Sequence, residues 1–167
     1  MQAGSADIAT ELHIDLTRQR LRLLRCGDTV RDYRVSTGAN GIGEIGGSGM
    51  TPRGLHLVRA RIGAGAASGS VFRGRRATGE IWSPTLHAAH PKRDWILTRI
   101  LWLSGLERGR NRLGCVDTFR RYIYIHGTPA AYPLGAPGSH GCVRMANDDI
   151  VELFEHVPVG TRVLLHE

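Results

Sequence analysis

The sequence predicts a mainly β fold, a sandwich or mixed sheet with one or two short helices. Three observations carry this expectation. Short segments alternate apolar and polar residues, as half-buried strands do. Glycine supplies 22 of the 167 residues, roughly twice the usual share of about 7%, so tight turns are frequent. Only one stretch, near the C-terminus, has helical periodicity.

The elements follow in order. Leu12, Ile14 and Leu16 alternate over residues 12–17, and Leu21 and Leu23 over 20–24. A turn at Cys26-Gly27-Asp28 leads into Val30 to Ser36. Further strands are expected at Leu55–Ile62, Trp95–Leu103, Tyr122–Ile125 and Arg162–Leu165, six or seven in all. The helix opens at Asn147, a good N-cap residue, and Asp148 and Asp149 suit the dipole of its first turn. Ile150, Val151, Leu153 and Phe154 give it an apolar stripe, and Pro158 and Gly160 stop it. The chain reads as a single domain over 1–167, with an insertion or lid within 63–120, where glycine-rich and basic loops mix.

Twenty-two Lys and Arg against 15 Asp and Glu give a net charge of +7. Such a surface suits anionic partners. No run of five or six basic residues occurs, and the aromatic residues show no stacking pattern, so no nucleic acid is expected. The longest apolar runs, such as Ile100 to Leu103, are far shorter than a membrane span, so no membrane is expected. Three cysteines are too few for a disulfide scaffold. The first residues lack a basic and an apolar leader region, which gives an expectation of a cytoplasmic protein, or a periplasmic one had a leader been removed.

Several apparent motifs carry little. Gly41-Ile-Gly43-Glu-Ile-Gly46 fits a dinucleotide fingerprint, but Gly47-Ser-Gly49-Met-Thr-Pro52 cannot open the helix that fingerprint needs. It reads as a flexible surface loop. His87, His90, Cys115, His126, His140 and Cys142 lack the paired short spacings of zinc ligands. No metal and no cofactor is expected. His87 and His90 read as exposed loop residues, Cys115 as a buried spectator and Cys26 as incidental.

The chemistry lies in Ile125-His126-Gly127-Thr128-Pro129 and Gly138-Ser139-His140-Gly141-Cys142-Val143-Arg144-Met145. A strand ends in a histidine, and a glycine-rich turn then delivers a cysteine. A thiol of ordinary pKa near 8.5 needs a base or a positive field to act as a nucleophile at neutral pH. His126 is the candidate base for Cys142. The amides of Gly141 and Cys142 can form an oxyanion hole. Arg144 can stabilise a thiolate or hold a substrate carboxylate.

This segment resembles the signature of the YkuD-type L,D-transpeptidase catalytic domain: a histidine, a gap, then Ser-His-Gly-Cys with a short arginine-containing tail. Val35-Ser36-Thr37-Gly38 with Met50-Thr51-Pro52-Arg53-Gly54, and the tail from Met145 to Val163, are similar to the family's flanking segments. The resemblance implies a β-sandwich-like mixed sheet with a capping loop over the catalytic cysteine. It implies Cys142 as nucleophile and His126 as base, with His140 and Gly141 shaping the site. A backbone carbonyl, that of Gly127, would orient the imidazole, and Arg144, Ser139 and Gly127 would contact substrate. It further implies cleavage of the diamino acid–D-Ala bond of a peptidoglycan tetrapeptide or muropeptide, and acylation by carbapenem-type β-lactams. Hydrolysis by an L,D-carboxypeptidase in murein recycling is the first expectation. Cross-linking by an L,D-transpeptidase is the second, and a non-catalytic basic glycopeptide-binding module the third.

Overall fold

A computed structural model describes residues 9–167. Residues 1–8, which carry most of the leader reading, lie outside it. The strands are β1 (Thr10–Asp15), β2 (Arg20–Arg25), β3 (Asp28–Ser36), β4 (Gly54–Ile62), β5 (Ser70–Arg73), β6 (Arg76–Ile81), β7 (Ile96–Gly105), β8 (Tyr124–Gly127), β9 (Val143–Met145) and β10 (Arg162–His166). Two helices accompany them, α1 (Pro84–Ala89) and α2 (Asn147–His156), with a 3-10 turn at Gly114–Val116.

The strands join one mixed sheet in the order β4-β10-β1-β2-β3-β9-β8-β7, and β7 bonds back to β4, so these eight close on themselves. The β5–β6 hairpin is added outside the ring, on β7. β1–β10 and β8–β9 are parallel and the other pairs antiparallel. Alternation builds the interior. Leu12 faces Leu23 and Ile14 faces Leu21 across β1 and β2. These side chains are buried with Leu101, Leu103, Ile125, Val143, Met145 and the Ile150, Leu153 and Phe154 stripe of α2. The sheet thus has an interior face packed on α2. The opposite face of β7–β8 carries a second cluster, in which Phe72, Ile100 and Tyr124 pack with Trp102 and Cys142.

Departures from the sequence reading have local causes. Thr10–Asp15 starts two residues early. β8 begins at Tyr124 because Tyr122 takes a positive φ of 56° that breaks the strand. Ala146, not Asn147, precedes the helix; the Asn147 side chain instead accepts a hydrogen bond from Thr98 Oγ1 at 2.6 Å. The span 63–120 divides into three parts. β7 is a ring strand, β5–β6 and α1 project from it, and residues 106–120 lead back toward the site. β5 escaped notice because Val71 and Phe72, adjacent in sequence, are both buried, which erases alternation. α1 has only six residues, but its start was legible: Ser83 Oγ accepts from the Leu86 amide at 3.0 Å and Pro84 follows.

Candidate active site

Strand register brings the two candidate groups together. β8 and β9 run parallel with His126 opposite Arg144 and Ile125 opposite Val143. Alternate residues share a face. Tyr124 and His126 therefore face the same way as Cys142 and Arg144, while Ile125 and Val143 enter the interior. His126 and Cys142 become diagonal neighbours, a spacing of roughly 7–8 Å between α-carbons that their side chains can bridge. The sulfur is half-buried. It accepts a hydrogen bond from the Tyr124 amide and donates one to the Tyr122 carbonyl, each at 3.3 Å.

His126 is 1% exposed. Its Nδ1 lies 2.6 Å from the Gly127 carbonyl. A carbonyl only accepts, so Nδ1 carries the proton and Nε2 keeps a free lone pair. Gly127 is required by crowding: an added Cβ would meet the Leu97 carbonyl at 2.7 Å and collide with Asn147 Oδ1. Behind it, Thr98 sits at a φ of +75° at a bulge in β7, a costly conformation for a β-branched residue. Its hydroxyl donates to Asn147 and accepts from the Gly69 amide at 2.9 Å. Strain of this kind is sustained where the surroundings over-determine it.

The turn before the cysteine is tied on three sides. Ser139 Oγ donates to the Cys142 carbonyl at 2.5 Å and accepts from the Gly141 amide at 3.1 Å. Thr51 Oγ1 donates to the Gly141 carbonyl at 2.9 Å. Gly141 takes a φ of +125°, and a Cβ there would press Ile123 Cδ1 and the Met50 carbonyl, both at 3.2 Å. Arg121 straps the glycine-rich loop beside this turn, donating to the carbonyls of Gly43, Glu44 and Met50 at 3.3, 3.1 and 2.5 Å. The Gly46 amide adds a bond to the Cys115 carbonyl at 2.6 Å. That loop, read from sequence as free, is thus bonded down along its length.

Burial sets the protonation of the resting pair. It pushes the Cys142 thiol up to about 12, against the Tyr124 amide and the charges of Arg144 and Arg121, with Asp94 reinforcing the rise. Burial also lowers His126 below the ordinary imidazole value, against the Gly127 hydrogen bond and Asp94. Both groups therefore rest neutral near pH 7. Asp94, which the sequence reading missed, lies 3.4 Å from Arg144 Nη2 and 3.7 Å from His140 Nδ1.

The other expected residues take different places. Arg144 is 8% exposed, donates to the Gly138 carbonyl at 2.9 Å and borders an open cleft of about 540 Å³ with Asp94, Tyr132 and His140. His140 is exposed and stands at the rim of that cleft and of a second, about 490 Å³, between Gly46, Gly49, Cys115 and Arg121. Ser139 and Gly127 are buried; Ser139 Oγ bonds the Cys142 carbonyl and the Gly127 carbonyl accepts from His126 Nδ1, so both hold the cysteine and histidine in place. The Gly141 amide, one of the two expected oxyanion donors, is spent on Ser139 Oγ. Cys115 is exposed, because its 3-10 turn lies on the surface of the second cleft. His87 lies on α1 stacked on Trp95 at 5.7 Å, not in a loop.

A closed, mainly β domain thus sets a tautomer-fixed histidine on β8 and a cysteine immediately before the parallel β9, an arrangement that fits an L,D-transpeptidase catalytic domain. The chain belongs to the YkuD family, whose L,D-transpeptidase catalytic domain model matches residues 9–165. It is 40% identical over 92 residues to the probable L,D-transpeptidase YbiS of Escherichia coli K12, covering 53% of this chain and 29% of that protein. It is 30% identical over 126 residues to the probable L,D-transpeptidase YcfS of the same strain, covering 74% and 34%. The chain thus spans about a third or less of the length of these relatives. Among solved structures, an L,D-transpeptidase from Mycobacterium smegmatis superposes with a TM-score of 0.61 at 16% identity, over 96% of this chain and 59% of that one, and shares the fold. An L,D-transpeptidase from Xylanimonas cellulosilytica gives 0.53 at 26% identity, over 99% and 63%.

Proposed function

We propose that the chain is a cysteine-dependent acyl transferase that takes peptidoglycan stem tetrapeptides and breaks the bond between the diamino acid and the terminal D-Ala. The observation that carries this reading is the pairing of Cys142 with a His126 whose Nε2 is left unprotonated. Cys142 Sγ attacks the scissile carbonyl carbon while His126 Nε2 takes the thiol proton. The proton then passes to the departing amine, D-Ala leaves, and a thioester remains on Cys142. The thiol must first turn away from the Tyr122 carbonyl it now faces. The Cys142 amide stabilises the developing oxyanion, and Arg144, beside its cleft, holds a substrate carboxylate.

Water then hydrolyses the thioester to a tripeptide, the L,D-carboxypeptidase reaction that murein recycling in the cytoplasm would use. Support for this acceptor is that Cys142 is only half-buried, and that His140, two residues before it, lines two clefts open to solvent from which water can approach a thioester. The names of the relatives favour the second reading, in which an amine of another stem peptide accepts the acyl group. Incubation with a defined tetrapeptide, with and without an acceptor amine, decides between them. Free tripeptide without dimer is expected; dimer without tripeptide would assign the amine. Turnover undiminished in C142A would remove both, and peptide binding with no turnover in the unaltered chain would leave a binding module.

A further inference from the structure

The β5–β6 hairpin reverses at Gly74-Arg75, both in the left-handed region with φ of +55° and +65°. Glycine adopts this freely, whereas arginine meets steric resistance there. The turn delivers the Arg75 side chain to an aromatic shelf on the site face. Its guanidinium carbon lies 4.8 Å from the Trp102 ring centroid and 4.9 Å from that of Tyr122. Its Nη1 donates to Tyr124 Oη at 3.2 Å. Phe119 extends the shelf, stacked on Trp102 at 3.9 Å. The same two tyrosines supply the backbone groups that bond the Cys142 sulfur. The hairpin tip is therefore one residue removed from the thiol.

No carboxylate partner for Arg75 is found among the described residues. The groups that act on its charge are Tyr124 and Tyr122, and they stabilise the cation. A guanidinium has five N–H donors in a flat fork, and one is engaged here. Stacking holds the fork in place without consuming those donors. Such a group, fixed beside a nucleophile and unmatched by acid, has the form of a carboxylate receptor.

We propose that Arg75, at the tip of the β5–β6 hairpin, binds a carboxylate of the donor peptide and so selects acidic stem peptides. This rests on the proposed reaction for the identity of the peptide, but its test does not depend on turnover. The two features also separate in space: Arg144 and Asp94 serve the cleft beside His140, and Arg75 the shelf beyond Tyr124.

The measurement is binding of a defined tetrapeptide to C142A and to the C142A/R75Q double variant by calorimetry. It is repeated with derivatives in which each carboxylate is amidated in turn. Amidating the carboxylate assigned to Arg144 should weaken both proteins alike; in C142A a second amidated derivative is expected to bind roughly 10- to 100-fold more weakly than the parent, the scale of a lost charge-assisted pair. In the double variant the parent peptide should fall by the same factor, and that derivative should lose nothing further. R75K, which keeps the charge without the flat fork, is expected to fall between, and serves if R75Q unfolds. Equal affinity of both proteins for the parent would overturn the assignment. So would equal loss for every derivative, which would make the hairpin tip a structural prop, or no measurable binding to C142A. Arg75-dependent binding in a chain without turnover would sink the reaction and spare the receptor. Turnover indifferent to R75Q would do the reverse.

Discussion

One proton distinguishes the resting site from the reactive one. Cys142 keeps it in a hydrogen bond donated to the Tyr122 carbonyl, while His126 Nε2 keeps its lone pair on the same face. With the thiol held up near 12 and the imidazole held down, the pair is neutral at pH 7, so the proposed reaction needs the histidine as a general base and not as half of a preformed ion pair. The sign of the pH dependence follows. Protonating His126 removes the base, and its lowered value moves that event below about 6.5. Turnover should hold level down to pH 6.5 and fall only below it, and alkylation of Cys142 by iodoacetamide should keep climbing past pH 9 with no plateau. A fast, pH-independent alkylation between pH 6 and 8 would show a thiolate at rest. Gly127 gives a steric test. In G127A the new methyl group meets the Leu97 carbonyl and Asn147. The carbonyl that orients His126 must shift, and kcat should drop about 100-fold, the scale of an ångström-level misplacement. Stability should fall by about 1–3 kcal/mol in denaturant unfolding. Cys142 and His126 were legible because each sits in a contiguous run flanked by glycine. Asp94, Tyr122 and Arg75 were not, because strand pairing and a hairpin reversal bring them in from segments that carry no signature of their own.

At the scale of elements, alternation made β1, β2, β4 and β10 readable, since each shows one face to the interior. It failed where both sides of a strand are covered, as at Val71 and Phe72, and where strain breaks the pattern, as at Thr98 and Tyr122. One buried residue ties β4 to the segment returning toward the site. His56 Nδ1 donates to the Gly54 carbonyl at 2.9 Å, and its Nε2 accepts from Thr118 Oγ1 at 2.8 Å. Burial disfavours the charged ring and lowers it from 6.5 to about 4. Below pH 6.5 the unfolded chain binds a proton there that the folded one refuses. Its contribution is therefore complete above pH 6.5 and lost as pH falls to 4, about 3 kcal/mol in all. Denaturant unfolding across that window should show the loss, and H56Q should flatten it. An unchanged slope in H56Q would assign the loss to other groups.

For the molecule as a whole, closure of eight strands removes sheet edges and leaves β6 as the free one, short, exposed and bearing Arg76 and Glu80. The ring fixes β8 against β9 and so sets the cysteine–histidine geometry through strand register, with the Gly127 carbonyl bonded to the imidazole. The net charge of +7 adds a long-range pull on acidic peptides. Raising salt from about 0.05 to 0.5 M should therefore raise KM severalfold with little change in kcat, since screening acts on long-range encounter rather than on the short-range chemistry of two groups that rest neutral. A KM indifferent to salt would confine recognition to contacts made after docking.

The most direct measurement is the mass of the protein after exposure to the tetrapeptide or to a carbapenem, followed by peptide mapping. Of the three cysteines, Cys26 and Cys115 are exposed, and Cys142 is the one that strand register places on the same sheet face as His126. The expected result is one acyl group on the peptide carrying Cys142, absent in C142A and strongly slowed in H126Q. An unmodified protein, or an adduct on Cys115 or Cys26 with Cys142 free, would contradict it.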